Sequence, residues 1–173
     1  MELTATPATV DDAAGMAIAF AEAQASYQEG GIPIGAALVA YDGKLLGRGH
    51  NMRVQLGSAI HHGETSALFN SGRLLARAYK GSTMFTTLSP CDMCTGACLL
   101  YGIARVVIGE NRAFLGGEAY LRQRGVEVVV LDDAACVELM ERFIREKPEL
   151  WNEDIGVEER VYSKEAKAPE QHS

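Results

Sequence analysis

The chain has 173 residues, of which 47% are hydrophobic and 23% are charged, and its formal net charge at pH 7 is −7. This length and composition are typical of one soluble globular domain with a sizeable core. The acidic balance argues against a nucleic-acid partner, because phosphate-binding surfaces need clustered Lys and Arg side chains.

Hydrophobic periodicity predicts helices and strands that alternate along the chain. A helix over 12–27, with an N-terminal box at Thr9 and Asp12, is followed by a β-hairpin (strands 34–41 and 45–50) whose turn is Asp42-Gly43. The remaining pattern predicts helices over 63–71, 91–101, 118–124 and 134–146 and strands over 83–87, 105–109 and 126–131. This order predicts an α/β domain over residues 1–157, with helices on both faces of a mixed sheet.

The ends of the chain and its four cysteines indicate where in the cell the protein is expected. Residues 1–10 lack a basic region followed by an apolar stretch, so we expect no secretory signal, and no segment approaches the ~20 apolar residues of a membrane helix. The four cysteines are then expected to stay reduced in the cytoplasm, where a C-x-x-C pair is a natural metal-ligand set. Residues 158–173 are charged and poor in large apolar groups, which predicts a disordered tail.

Two short motifs carry the chemistry of the chain. His62-Gly63-Glu64 is followed after a gap by Pro90-Cys91-Asp92-Met93-Cys94, an H-x-E…P-C-x-x-C pattern typical of zinc-dependent nucleobase deaminases. His62, Cys91 and Cys94 are the predicted ligands of one Zn²⁺ per chain, and three protein ligands leave the fourth position open, as in catalytic zinc sites. We expect His62 in the first turn of one helix and both thiols on one face of the next, where the helix dipole favours thiolates.

A closed structural zinc site and a Cys91–Cys94 disulfide are the alternatives. Cys98 is the candidate fourth ligand, but it lies four residues past Cys94, roughly 6 Å further along the helix axis. We therefore interpret Cys98 and Cys136 as small core residues. A disulfide would leave His62 and Glu64 without a role.

The other histidines have less specific interpretations. His61 adjoins the predicted ligand and could compete with it, but the spacing to Glu64 favours His62. His50 ends a predicted strand, where a hydrogen-bonded structural histidine is the usual outcome. His172 lies in the tail and has no predicted role.

Several segments beyond these motifs extend the pattern into a family resemblance. They are 30–35 (GGIPIG), 46–53 (LGRGHNMR), 86–97 (TTLSPCDMCTGA), 101–103 (YGI) and 151–156 (WNEDIG). On these segments the chain resembles the fungal-type cytosine deaminases of the cytidine deaminase superfamily from about residue 13 to residue 156. The resemblance implies a three-layer α/β/α sandwich with a five-stranded mixed sheet, a homodimer, and deamination of free cytosine in pyrimidine salvage.

The resemblance also implies how a nucleobase would be held. Asn51 and the backbone N–H of Gly63 would meet the pyrimidine carbonyl, and Asp154 would accept from the exocyclic amine. Phe114 and Trp151 would close over the ring, and Ile34 would line the pocket. From the residues alone, Asn51 could equally cap a loop, the aromatics could be core residues, and Asp154 could be a surface acid.

Glu64 is the predicted catalytic acid and base, since the chemistry requires a carboxylate that moves protons between water, ring and leaving amine. Rival substrates for the same centre are guanine, isocytosine, creatinine and a tRNA adenosine, the last disfavoured by the acidic charge. A non-catalytic zinc protein is the other rival, although a purely structural site has no use for Glu64.

Overall fold

A computed structural model describes residues 11–157 of the chain. Its helices are α1 (Asp12–Gln28), α2 (Arg53–Leu56), α3 (Gly63–Ser71), α4 (Ala76–Tyr79), α5 (Asp92–Leu100), α6 (Glu118–Gln123), α7 (Ala134–Glu146) and α8 (Pro148–Asp154). Its strands are β1 (Gly35–Val39), β2 (Leu45–His50), β3 (Thr83–Leu88), β4 (Arg105–Glu110) and β5 (Glu127–Val130). No helix within the described part of the chain is long and apolar enough to cross a membrane.

The five strands form one mixed sheet in the order β2-β1-β3-β4-β5. β1 runs antiparallel to both β2 and β3, whereas β3, β4 and β5 are parallel. The β1–β2 hairpin turns at Gly43, whose φ of 87° suits a residue without a Cβ atom. The expected mixed sheet of five strands is therefore confirmed.

Side chains alternate between the two faces of the sheet along each strand, so the hydrophobic core has a part on each face. Leu38, Met84 and Ile108 face a cluster that includes residues of α3, α5 and α6. Val39, Phe85 and Val107 face the opposite cluster, which includes residues of α1 and α7. The period of two in each strand thus gives the three-layer arrangement with helices on both faces.

A third apolar cluster joins the last two helices to one end of the sheet. Trp151 of α8 is fully buried there with Phe143 of α7, Ile34 before β1 and Leu88 at the end of β3. The cluster therefore brings the C-terminal part of the described chain to the end of β3, where the predicted site lies.

The predicted elements agree with the observed ones except at the start of α1 and where the helices are short. Asp11 caps α1 by accepting from the N–H of Ala13, in place of the predicted box at Thr9 and Asp12, and Thr9 lies outside the described residues. α2 and α4 have four residues each, which is too short for a helical period to be recognised. The sequence pattern did not predict α8 either, because Pro148 indicated only the end of α7. Pro148 does follow the end of α7, but it also occupies the first turn of α8, where its missing N–H has no intrahelical partner to lose.

Candidate active site

The predicted metal ligands come together beyond the end of β3. The ligand atoms of His62, Cys91 and Cys94 all lie within 4.8 Å of one another. His62 Nδ1 and Cys91 Sγ are 3.5 Å apart. A tetrahedral zinc ion with ordinary Zn–N and Zn–S bonds separates such a pair by roughly 3.5 Å, so the donor set fits one zinc ion.

Both ligand-bearing helices present their N-terminal ends to the cluster. Cys91 is the N-cap residue of α5, and Cys94 lies one turn further on. His62 is the N-cap of α3, one position before the first turn where it was expected. Its backbone N–H donates to Thr65 Oγ1 at 2.8 Å, which holds the chain at the start of the helix. The two helix dipoles favour negative charge at the cluster.

The two thiols of the cluster do not ionise independently. Hydrogen bonds from the Cys94 thiol and from His62 lower the pKa of Cys91 to about 4, against the opposing effect of burial. The hydrogen bond to the Cys91 thiolate, together with burial, raises the pKa of Cys94. Cys91 is thus the thiol whose ionised form the cluster favours, and ligation of a metal ion requires both thiols to be ionised.

Cys98, Cys136, His50 and His61 lie outside the cluster, and His172 is not among the described residues. Cys98 and Cys136 are free and buried on opposite faces of the sheet, which confirms their interpretation as core residues. His61 Nδ1 is 2.7 Å from Ser58 Oγ, and its ring packs on Phe69. His50 lies between the carboxylates of Glu22 and Glu29, at 2.7 and 3.0 Å.

Glu64 lies in the first turn of α3, beside the metal cluster, and is 3% exposed. Its Oε1 accepts a hydrogen bond from Thr86 Oγ1 at 3.0 Å. Burial raises the pKa of Glu64, and the charge of Cys91 adds to this effect. A carboxylate with a raised pKa close to a metal site is suited to accept and return a proton near neutral pH.

A small pocket joins Glu64 and the metal cluster to the C-terminal part of the chain. Its wall includes His62, Glu64 and Cys91 from the motifs, Phe114 from the loop 111–117, and Asp154 and Ile155 from the end of α8. Ile34, Leu88 and Ser89 complete it. Trp151 lies behind Phe114, with the ring centroids 6.4 Å apart and the rings nearly perpendicular.

Asn51 and Asp154 form a buried polar pair next to His62. Asn51 Nδ2 donates to Asp154 Oδ1 at 2.8 Å, and Asn51 Oδ1 accepts from the backbone N–H of Arg53 at 3.0 Å. His62 Nε2 is 3.5 Å from the same Asp154 oxygen. Burial raises the pKa of Asp154, although His62, Asn51 and Arg53 all act to lower it.

Gly63 lets α3 approach the sheet closely. A Cβ atom at this position would lie 3.2 Å from the carbonyl oxygen of Ile34 and 3.2 Å from the carbonyl carbon of Gly35. The first residue of a helix also has a backbone N–H without an intrahelical acceptor. The glycine thus brings such a donor near Ile34, which lines the pocket.

The sequence comparisons agree with this geometry. Residues 9–110 match the family model described as the cytidine and deoxycytidylate deaminase zinc-binding region. The chain belongs to this deaminase family. It is 58% identical to a cytosine deaminase from Candida albicans over 148 residues, which cover 86% of this chain and 99% of that protein.

More distant relatives and structural neighbours are named for other substrates. The chain is 39% identical to a tRNA-specific adenosine deaminase from Streptococcus pyogenes over 61% of this chain and 66% of that protein. A solved structure of a guanine deaminase from Nitrosomonas europaea has a TM-score of 0.59, 25% identity, and coverage of 74% of this chain and 82% of its own. Proteins similar to this chain are thus named for different bases, so the substrate has to be argued from the pocket.

Sequence reasoning missed Thr86 and Arg53, although both lie in segments that carried the family resemblance. Thr86 is a polar residue in a fully buried strand, and this was the available signal, because a buried hydroxyl needs a hydrogen-bond partner. Arg53 follows Asn51 by two residues, but its partners are far along the chain. No local pattern could have predicted them.

Proposed function

We propose that this protein is a zinc-dependent hydrolase that converts free cytosine and water into uracil and ammonia. One observation carries the proposal. His62, Cys91, Glu64 and Asp154 line one small pocket, Cys94 completes the three-ligand cluster and Asn51 holds Asp154 from behind, in a chain 58% identical to a cytosine deaminase. In the reaction a C4–O bond forms and the bond from C4 to the exocyclic nitrogen breaks.

His62, Cys91 and Cys94 are the proposed ligands of one zinc ion per chain. The match to a zinc-binding family region and the 3.5 Å spacing of His62 Nδ1 and Cys91 Sγ support this assignment. Bound zinc supplies Lewis-acid activation of the attacking water. Because the protein supplies three ligands, a zinc ion held by them would have a coordination position left for water.

Glu64 is the proposed proton carrier. It accepts a proton from the attacking water and delivers it to the ring nitrogen next to C4. It then takes the remaining proton from the hydroxyl added at C4 and passes it to the exocyclic nitrogen, which leaves as ammonia while the C4–O bond becomes a carbonyl. Thr86 holds one carboxylate oxygen at 3.0 Å, so the other oxygen is the one proposed to exchange protons with the substrate.

Asp154, Asn51 and Gly63 are proposed to orient the base. Asp154 accepts a hydrogen bond from the exocyclic amine. Asn51 has its Oδ1 and one Nδ2 hydrogen engaged by Arg53 and Asp154, so its second Nδ2 hydrogen is proposed to meet the pyrimidine carbonyl together with the N–H of Gly63. A base that lacks the amine would leave the buried carboxylate without its hydrogen bond from the substrate.

The small size of the pocket beside Glu64 favours a free base over a nucleoside. Phe114, backed by Trp151, and Ile34 are proposed to enclose the ring, and Ile155 narrows the same space. A ribose on N1 would have to displace this wall. The acidic net charge also disfavours a tRNA substrate.

Ammonia release tests the proposal. Zinc-loaded protein is assayed with cytosine and cytidine side by side, and with guanine, isocytosine, creatinine and a tRNA stem-loop with adenosine in its loop. We expect a kcat/KM for cytosine at least ~100-fold above that for cytidine, since a site built around paired polar groups and a closed wall discriminates strongly. Comparable values for cytosine and cytidine, or a higher value for another substrate, would contradict the free-cytosine proposal.

A homodimer is the proposed assembly. Several large apolar side chains of the α3–α5 region are exposed: Phe69, Leu75, Met93, Leu100 and Tyr101. Leu100 is 77% exposed at the end of α5, and a second copy of the chain could cover it. Sedimentation at micromolar concentration is expected to give a dimer, and Leu100→Glu is expected to shift it toward monomer. A monomeric wild-type protein would contradict the dimer.

We propose that the protein works in the cytoplasm, as expected from its sequence. The metal cluster requires Cys91 and Cys94 as reduced thiols, and the cytoplasm keeps thiols in that state. Fractionation of cells that express the tagged chain tests the location.

A further inference from the structure

Arg53, a residue outside the sequence-predicted site, contacts both members of the Asn51–Asp154 pair. It is the first residue of α2, and its side chain is 17% exposed. Its backbone N–H donates to Asn51 Oδ1 at 3.0 Å. This bond fixes which way the Asn51 amide points, because the oxygen is held by Arg53 and the nitrogen faces Asp154.

The Arg53 guanidinium reaches two neighbouring carboxylates of α8. Nε lies 3.5 Å from Asp154 Oδ1, and Nη2 lies 3.4 Å from Glu153 Oε1. A third nitrogen, Nη1, donates to the carbonyl oxygen of Ala59 at 3.4 Å. The side chain thus bridges the loop that precedes the ligand His62 and the helix that closes the pocket.

α8 needs such a partner for two physical reasons. It has seven residues, and helices of this length depend on tertiary contacts because they are not stable alone. Glu153 and Asp154 also occupy its last turn, which has no basic residue of its own, and negative charge is unfavourable at the C-terminal end of a helix dipole. The positive charge of Arg53 offsets both carboxylates.

Burial makes the contact to Asp154 more consequential than an ordinary surface pair. The Asp154 side chain is 3% exposed, whereas that of Glu153 is 63% exposed. A buried carboxylate is costly unless it is paired and hydrogen-bonded, and Arg53 is the permanently charged group next to it. Trp151 anchors α8 through apolar contacts in the third cluster, and Arg53 anchors its carboxylate end.

We propose that Arg53 is a positioning residue that latches α8 against the pocket and so holds Asp154 and Asn51 in their substrate-binding geometry. The latch makes no contact with the reacting atoms. Its loss leaves Glu64 and the metal ligands in place but lets α8 open more often. It therefore affects substrate binding more than turnover; this kinetic consequence rests on the proposed function, whereas the closure of α8 does not.

The test compares Arg53→Gln with Arg105→Gln in zinc-loaded, full-length protein. Arg105 is a matched control because it is 23% exposed and also bridges two carboxylates, Asp12 and Glu127, but lies at the start of β4, at the opposite end of the strand from the site. Hydrogen–deuterium exchange of residues 148–157 and the KM and kcat for cytosine are measured for both variants.

We expect Arg53→Gln to speed exchange in residues 148–157 about tenfold and to raise KM about tenfold, with kcat changed less than about threefold, as for loss of one partly buried charge contact. Arg105→Gln is expected to leave both quantities at wild-type values. Arg53→Lys keeps the positive charge but lacks the branched guanidinium that reaches both carboxylates. We therefore expect its exchange rate and KM to lie between those of the wild type and of Arg53→Gln.

The possible outcomes distinguish a failure of the proposed Arg53 latch from a failure of the proposed deaminase function. Unchanged exchange or unchanged KM in Arg53→Gln, or equal effects in Arg105→Gln, would overturn the latch. Selective opening of α8 in a protein that deaminates no base would retain the latch and overturn the proposed function. If Arg53→Gln does not fold, Glu153→Gln removes one of the two carboxylate contacts, and it must then speed exchange in residues 148–157 for the latch to stand.

Discussion

The residues around the pocket reach it in two different ways. His62 and Glu64, and likewise Cys91 and Cys94, are neighbours in sequence and are held at the N-terminal ends of α3 and α5, next to the core strands. Asp154 and Ile155 come from the end of the short helix α8, and their contacts join residues about a hundred positions apart, as in the Asn51–Asp154 bond with a separation of 103. The first group depends on local backbone geometry, whereas the second depends on tertiary contacts.

This difference predicts unequal consequences of mutation. Loss of a residue in the first group is expected to remove the chemistry while the fold remains. Loss of a contact in the second group is expected to weaken substrate binding while the chemistry remains. The following changes test the comparison, from the largest expected effect to the smallest.

Cys91→Ser should lose most of its zinc and with it nearly all turnover, because a hydroxyl is a far weaker zinc ligand than a thiolate. Cys98→Ser is the matched control: Cys98 lies on the same helix but is buried in the core. It is expected to keep about one zinc per folded chain. Metal analysis of the purified proteins measures the difference, and equal zinc loss in both variants would refute the ligand assignment.

Glu64→Ala should keep its fold and zinc but lower kcat by at least ~10²–10⁴-fold, the usual contribution of one positioned acid or base. Glu22→Ala serves as the control, since Glu22 is also a largely buried glutamate but pairs with Arg48 and His50 away from the pocket. Steady-state kinetics and zinc content are measured together. A near-normal kcat in Glu64→Ala would exclude its role in proton transfer.

Asp154→Ala should lower kcat/KM for cytosine by roughly 100-fold, about 3 kcal/mol. The substitution removes the carboxylate that is proposed to accept a hydrogen bond from the substrate amine, and it also removes the acceptor of the Asn51 Nδ2 hydrogen bond. Zinc content is expected to be unchanged. Asp132→Ala removes an exposed carboxylate paired with Arg112 and should have no kinetic effect. A loss of zinc in Asp154→Ala would show instead that Asp154 mainly supports the ligand His62.

Deletion of residues 158–173 should change kcat/KM less than about twofold, since charged terminal segments tolerate truncation when they carry no site residue. The residues that line the pocket lie between Ile34 and Ile155. Assays of the truncated and full-length chains with cytosine measure the effect. A large loss of activity would mean that closure of the pocket extends past α8.

Strongly periodic parts of the fold could be predicted from sequence, and short or cooperative parts could not. α7 is the clearest success: its buried residues Cys136, Leu139, Met140, Phe143 and Ile144 follow helical spacing, and Asp133 caps its start. α8 is the clearest failure. The helix is short, and its long-range contacts, those of Trp151 in the third cluster and the ion pairs with Arg53, join residues far apart in the chain.

The sequence by itself determined the metal-site chemistry of this protein. Donor types and spacings in His62-Gly63-Glu64 and Pro90-Cys91-Asp92-Met93-Cys94 specify a three-ligand site and a carboxylate beside it, because the N-terminal end of a helix presents neighbouring residues in a defined way. The closing of the pocket was decided only by the tertiary structure. A helix of seven residues has no stable position of its own, so packing and buried charge pairing place Asp154 against Asn51, His62 and Arg53.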